Sequence, residues 1–239
     1  MKKLKLGFIG SSGRMGAEAR ALLAIPPFSL KFSEVLWHTR SQPLDHLFAA
    51  DVWVEFSSPE AVLGLCRESG KRGSEIPLVV GTTGWTSGQL LELESFAVRM
   101  AILKSANFAV GVQVCRDTLR FWSGMSELSE WKVSIRELHH THKKDAPSGT
   151  ALSLADTIRG ASSKSVPIDS VRQGEVFGIH EVVYESGNEK ISLIHEAKSR
   201  AVFAEGALDA ALRLSVGHEA GSLPRRLLSL DDLYLRRMA

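Results

Sequence analysis

The sequence predicts an α/β protein, with a doubly wound parallel sheet over residues 1–108 followed by a second unit of α+β type. Three observations carry this prediction. Short apolar runs alternate with helix-like segments up to residue 108. Each run ends in a turn rich in glycine or hydroxyl side chains, where the strands of such a sheet hand over to helices. Beyond residue 108 the alternation stops, and helix, strand and helix are followed by consecutive strand-like runs. At 239 residues and 44% hydrophobic, the chain is long and apolar enough to bury a sizeable core.

In chain order, residues 4–9 form the first strand, and the glycine-rich turn of residues 10–16 leads into a helix over 17–24. Pro26 and Pro27 stop that helix, because proline lacks the amide donor. Residues 30–37 supply a second strand, 51–56 a third, 59–72 a helix, and 76–80 a fourth strand that ends in Gly81-Thr82-Thr83-Gly84. A helix over 87–98 leads to a strand over 101–104 and to Ser105-Ala106-Asn107-Phe108. Strands separated by helices run parallel, and such sheets bind ligands at the carboxyl ends of their strands.

In the second unit, residues 111–125 read as an amphipathic helix, and 131–140 as a strand with Val133 and Ile135 on one face. Residues 148–159 read as a helix, 171–184 and 190–197 as strands pairing as neighbours, and 200–214 as a helix. Residues 218–239 carry Leu227, Leu228, Leu230, Leu233 and Leu235 and are too short for a domain, so they are expected to pack back on the first unit. The expected boundaries are 1–108 with 215–239 for the first unit and 109–214 for the second.

Acids and bases nearly balance at a formal net charge of +2 and are spread along the chain, which speaks against a dedicated nucleic-acid or membrane surface. Cys66 and Cys115 lie in apolar surroundings without CxxC spacing and read as reduced, buried thiols. Lys2, Lys3 and Lys5 accompany an apolar run that ends by Gly10, too short for a secretion signal, and no stretch approaches a membrane span. A cytoplasmic location is the expectation.

The turn Gly10-Ser11-Ser12-Gly13-Arg14-Met15-Gly16 follows a strand and opens a helix, a Rossmann-like arrangement in which the backbone approaches a pyrophosphate at the helix N-terminus. Ser12 stands where the common pattern has its second glycine, and turns of this kind also serve as plain strand-to-helix links. The end of the second strand, Trp37-His38-Thr39-Arg40-Ser41, has no carboxylate to hold a ribose 2′-hydroxyl. It offers Arg40 instead, which predicts NADPH over NADH, with NADH still usable. The nicotinamide end is expected at Gly81-Thr82-Thr83 and Ala106-Asn107-Phe108.

Residues 137–151 read Glu-Leu-His-His-Thr-His-Lys-Lys-Asp-Ala-Pro-Ser-Gly-Thr-Ala, placing three imidazoles and two ammonium groups just ahead of a helix start. Histidine titrates near neutrality, lysine is a movable cation, and the helix start offers N–H groups to an anion. The lysines oppose a metal cation, and neither cysteine nor carboxylate completes an ordinary zinc set, so no metal is expected. Ordinary helix capping is the alternative role for Ser148 and Thr150.

Several strings together resemble the dihydrodipicolinate reductase family: Gly13-Arg14-Met15-Gly16, Gly81-Thr82-Thr83-Gly84, Ser105-Ala106-Asn107-Phe108, and the segment from Glu137 through His139-His140, Lys143 and Asp145-Ala146-Pro147-Ser148-Gly149-Thr150 to Ala151. Further matches are Arg172, Gly174, Gly178 and His180 at their spacing, and Ser199-Arg200-Ala201 with Phe203-Ala204 and Gly206-Ala207. The resemblance spans nearly the whole chain. It implies NAD(P)H-dependent reduction of a cyclic, imine-containing dicarboxylate in diaminopimelate and lysine biosynthesis, a small-molecule substrate, and a homotetramer built through the second unit. By resemblance, Lys143 is the proton donor and His139 assists it, while His140, Ser148, Gly149 and Thr150 bind substrate. Physically, a helix N-terminus with hydroxyl side chains suits one carboxylate, and Lys143 with the imidazoles neutralises the other. A reductase of another imino acid and a nucleotide sensor on the same scaffold are the alternatives. The intact string from His139 to Thr150 argues against the first, and the His139/Lys143 pair against the second.

Overall fold

The first apolar run becomes β1 (Leu4–Ile9), and the turn after it needs only residues 10–13. The helix α1 (Arg14–Leu23) therefore starts earlier than residue 17. Residues 30 and 31 are not strand: they close the short helix α2 (Phe28–Lys31), and β2 (Phe32–His38) begins one residue later. β3 (Val52–Glu55), α3 (Pro59–Arg72), β4 (Leu78–Val80), α4 (Ser87–Ala97) and β5 (Ile102–Lys104) complete the alternation. Local chemistry fixes the helix ends. Ser58 accepts from the Ala61 amide ahead of Pro59, Gly73 ends α3 at φ 62°, and Thr86 with Gln89 forms a capping box for α4.

The five strands pair in the order β2-β1-β3-β4-β5, all parallel. Their last residues form one row across the sheet, with His38 beside Ile9, Ile9 beside Glu55, Glu55 beside Val80 and Val80 beside Lys104. Alternation then puts Leu6, Phe8, Val52, Val54, Val79 and Leu103 in one buried cluster, and Trp53, Leu78, Val80 and Ile102 in another with α3 and α4.

In the computed structural model, which describes residues 2–234, one compact unit comprises the residues up to Phe108 together with Phe203 onward, and the other is Ala109–Val202. The helix α7 (Ala201–Glu219) gives Leu208, Ala211 and Leu214 to the core around Leu6 and Phe8, so the boundary anticipated at residue 215 falls inside a continuous helix. Leu228 and Leu230 are buried in the same core, Leu227 packs on the opposite cluster, and Leu228 bridges to Leu103 alongside β5. Leu233, in α8 (Asp231–Tyr234), packs against the core as well, while Leu235 lies outside the described residues.

In the second unit, α5 (Val110–Ser123), β6 (Lys132–His139), α6 (Gly149–Ala161), β7 (Ile168–Arg172), β8 (Ile179–Glu185) and β9 (Lys190–Glu196) build a sheet ordered β7-β6-β8-β9. β7 runs parallel to β6, while β8 is antiparallel to both β6 and β9. Residues 171–184 are thus two strands rather than one, because Gly174 and Gly178 at φ 59° and 155° break the run between them. α5 and α6 cover one face through Cys115, Leu119, Leu154 and Ile158 against Val133, Ile135, Val182 and Tyr184. Among the described residues no helix is long and apolar enough to cross a membrane.

Candidate functional site

Two clusters of the anticipated residues form, one in each unit. In the first unit they gather at the carboxyl edge of the sheet. Gly10 sits at φ 83°, and a Cβ there would lie 2.2 Å from the Phe56 carbonyl oxygen. Only glycine permits that approach. Ser11 is buried and spends both its amide and its hydroxyl on the His38 carbonyl, at 3.2 and 3.0 Å, so it braces the turn against the end of β2. Ser12, Gly13 and Arg14 are exposed and Met15 half-buried, and Gly13, as the N-cap, has no side chain to cap α1. The first amides of that helix therefore have no side-chain cap, an arrangement suited to an anion. Arg40 is exposed in the turn closed by the Gln42 amide on the Thr39 carbonyl at 3.1 Å.

The turn after β4 lies on the other side of Phe56, where a Cβ at Gly81 would come within 2.0 Å of the Phe56 ring. Thr82 is buried and hydrogen-bonded into the β3 end, while Thr83 is exposed. After β5, Ser105 turns the chain by accepting from the Asn107 amide at 3.2 Å and donating to its carbonyl at 2.7 Å. Ala106 is left exposed, and Phe108 is buried edge-on to Phe56 at 6.0 Å between ring centroids. Phe56 is thus the hub of the edge, and sequence reasoning gave it no role.

In the second unit the site grows from β6. Its buried face reads Val133, Ile135, Glu137, His139, so the strand's own alternation carries a carboxylate and an imidazole into the interior. Glu137 is fully buried. Its Oε1 accepts from Arg172 Nη2 at 2.8 Å and from the Ser148 amide at 3.2 Å, and its Oε2 lies 2.5 Å from His139 Nδ1. Burial alone would push this carboxyl up, but Arg172, Ser170, His139 and Ser148 together hold it down at about 2, so it is an anion at neutral pH. At the imidazole of His139 burial acts in the opposite sense. Burial lowers it, Glu137 opposes that, and the charges of Lys143 and Arg172 add to the lowering, which leaves it below its ordinary 6.5.

The loop from β6 to α6 is laced to the turn after β7. His140 N donates to the Val176 carbonyl at 2.8 Å, Thr141 N to that of Gly174 at 3.2 Å, and Arg172 Nη2 reaches the Asp145 carbonyl. Lys143 Nζ is held by both carboxylate oxygens of Asp145 at 2.8 Å. His142 faces Glu175 at 3.9 Å in full solvent, which makes it a surface group. Ser148 is the N-cap of α6, accepting from the Ala151 amide at 3.2 Å, and its hydroxyl also lies 3.1 Å from His180 Nε2. Thr150 is buried, whereas Gly149 is exposed with open space where a Cβ would be. Burial, followed by the neighbouring His139, brings His180 down to about 3 and keeps it neutral.

The structure therefore brings together His139, Lys143, Ser148 and Gly149 on a scaffold of Glu137, Arg172 and His180. Those three were visible as letters in the sequence strings but had no assigned role. The available signal was parity, since a glutamate at a core position of a strand demands a buried partner. Glu137, His139 and His180 place ligand atoms within 4.8 Å of one another, as a metal site would. The guanidinium of Arg172 already neutralises that carboxylate, and the cationic surroundings favour an anionic ligand over a cation.

Comparison with known proteins agrees in both units. The family model described as dihydrodipicolinate reductase, N-terminus, matches residues 28–108, and that described as dihydrodipicolinate reductase, C-terminus, matches residues 111–232. The chain is 34% identical over 216 residues to a 4-hydroxy-tetrahydrodipicolinate reductase of Bdellovibrio bacteriovorus, covering 88% of this chain and 90% of that one. It is 36% identical over 236 residues to the protein of the same name from Xanthomonas axonopodis pv. citri, covering 92% and 95%. In fold it is similar to a dipicolinate-bound dihydrodipicolinate reductase from Paenisporosarcina sp. TG-14, with a TM-score of 0.71 at 21% identity over 98% of this chain and 100% of that one.

Proposed function

The chain belongs to the dihydrodipicolinate reductase family, and from that premise we propose how its residues divide the work of the reaction. It is an NAD(P)H-dependent oxidoreductase that reduces 4-hydroxy-tetrahydrodipicolinate in the diaminopimelate and lysine pathway. Replacing the ring hydroxyl by hydrogen consumes one hydride and one proton and releases water. A bound pyridine nucleotide supplies the hydride, and the protein must hold a dianionic ring and manage the proton.

The observation that carries the reading is the loop from β6 to α6, where His139 and the start of α6 are fastened to the buried Glu137 and Lys143 is held by Asp145. Lys143 is the proton donor. His139, neutral at physiological pH, shapes and assists that transfer. The start of α6 at Ser148, Gly149 and Thr150, of which Gly149 is exposed, receives one carboxylate together with His140, and Lys143 answers the charge of the other. In the first unit, Gly10, Ser11, Ser12, Gly13, Arg14 and Met15 cradle the pyrophosphate. Gly81, Thr82, Thr83, Ala106, Asn107 and Phe108 border the nicotinamide. Arg40 faces the 2′-phosphate, which makes NADPH the preferred donor and NADH the poorer one.

The uncovered face of the β7-β6-β8-β9 sheet, with Ile194 60% exposed, joins copies into a homotetramer, and the enzyme works in the cytoplasm. The defining experiment is a coupled assay. Oxidation of NADPH should require freshly generated hydroxytetrahydrodipicolinate and be inhibited by pyridine-2,6-dicarboxylate, whereas nucleotide binding without turnover would favour a sensor. Arg40→Ala should lower kcat/KM with NADPH about tenfold and leave NADH unaffected. An unchanged preference would remove Arg40 from the site.

A further inference from the structure

Glu55 is the last residue of β3 and is fully buried, yet among the described residues it has no ion pair. A carboxyl in that position is costly compared with an apolar residue of similar size, so its retention calls for a role beyond packing. Three donors converge on it. The amide and the hydroxyl of Ser57 both reach Oε1, and the Thr82 hydroxyl reaches Oε2 at 2.7 Å. Thr82 Oγ1 in turn accepts from the Ser57 amide at 2.9 Å, which closes a ring of hydrogen bonds. Ser57 lies in the turn after β3 and Thr82 in the turn after β4, so one side chain ties the two turns together.

The turn held in this way is also the one that Gly10 and Gly81 press against. The closest approach to Gly10 is the Phe56 carbonyl, and to Gly81 it is the Phe56 ring. Any movement of residues 56–58 must therefore displace both glycine turns. We propose that Glu55 is a positioning residue for nucleotide binding: its carboxyl fixes residues 56–58 against residues 81–84 and so sets the crevice into which the dinucleotide fits. This rests on the reading above that the first unit binds a pyridine nucleotide.

The surroundings of Glu55 make the lock responsive to pH. Burial, opposed by Ser57 and Thr82, pushes the carboxyl up to about 7. The titratable groups around it are His38 and Lys104, at the two ends of its row across the sheet, and Cys66 on α3, whose thiol is itself pushed up to about 12. His38 lies beside His46, with ring centroids 5.4 Å apart, and burial lowers it. Lys104 is lowered by burial. Of the groups in this row, Glu55 alone has its midpoint raised to near neutrality.

The test uses the full-length enzyme as wild type, Glu55→Gln, Glu55→Ala and Thr82→Val. It measures Kd for NADPH by nucleotide fluorescence, KM for each substrate, and Tm. Glu55→Ala should raise Kd and KM for NADPH about tenfold while KM for hydroxytetrahydrodipicolinate stays within about twofold. Thr82→Val should move NADPH affinity in the same direction. Glu55→Gln, which keeps the shape and fixes the charge, should also flatten the change of NADPH Kd between about pH 6 and 8. If Glu55→Ala does not fold, the Gln variant and its pH profile decide. An unchanged Kd with a lowered Tm, or both KM values raised equally, would overturn the positioning role alone. A wild-type protein that binds neither NADPH nor NADH would overturn the nucleotide reading together with it.

Discussion

Lys143 is clasped by both oxygens of Asp145, so its ammonium reaches a substrate only by sharing or leaving that partner. A substrate carboxylate is the natural replacement, and arrival of the dianion would swap one anionic partner for another. Lys143→Ala should lower kcat by about 10²–10⁴ while NADPH affinity survives, and normal turnover in a stopped-flow assay would remove the proton-donor role. Glu137 acts at the same scale. Glu137→Ala removes the counter-charge of Arg172 and the acceptor of the Ser148 amide and should cost about 3 kcal/mol of stability, read as a fall in Tm. The string from His139 to Thr150 made most of these side chains legible in sequence. Arg172 could not be read as the partner of Glu137, because it lies 35 residues away and meets the carboxylate only through the lateral pairing of β6 with β7.

Elements whose ends are set by local chemistry were the most legible. α3 has the bounds that its pattern gives, with Ser58 capping it and Gly73 in the left-handed region at its end. Residues 171–184 read as one strand because Val176 and Ile179 carry the apolar run across the break, and the break itself comes from glycines whose need is tertiary. Gly178 shows why: a Cβ there would lie 3.0 Å from His139 Nε2. Gly178→Ala should therefore turn or shift that imidazole and lower kcat about tenfold with NADPH Kd unchanged, whereas wild-type kcat would show that the ring has room. Likewise α7 reads as helix from its composition, but nothing local says which unit its apolar face serves.

For the whole molecule, acid should loosen the two units unequally. His180 and His139 are buried, His195 is half-buried, and all three have midpoints below the ordinary 6.5, so the unfolded chain binds protons that the folded second unit refuses. Stability of that unit is therefore present above about pH 6.5 and is lost as pH falls toward about 3, the midpoint of His180. In the first unit His38 acts in the same direction, but Glu55, raised from 4.5 to about 7, opposes it, because its protonated form is favoured by folding between those values. Hydrogen exchange compared at pH 7 and 5 should show protection falling more in β6 and β8 than in β1 and β3, and equal loss would contradict the assignment of buried neutral histidines. Assembly is tested at the same scale. Ile194→Arg should reduce the mass measured by light scattering if the uncovered sheet face joins the subunits. The two-unit plan was legible from the change in element order, whereas the discontinuity of the first unit was only partly so, because the helix that closes it comes after the whole of the second. That discontinuity bears on synthesis. The sheet face bearing Leu6, Phe8, Val52 and Val54 is covered by Leu208, Ala211, Leu214, Leu228 and Leu230, residues made only after the whole of the second unit. The nascent chain must carry that bare apolar surface through translation of roughly a hundred further residues, so of the two units the one begun earlier finishes folding later and is the more exposed to chaperones and aggregation on the way.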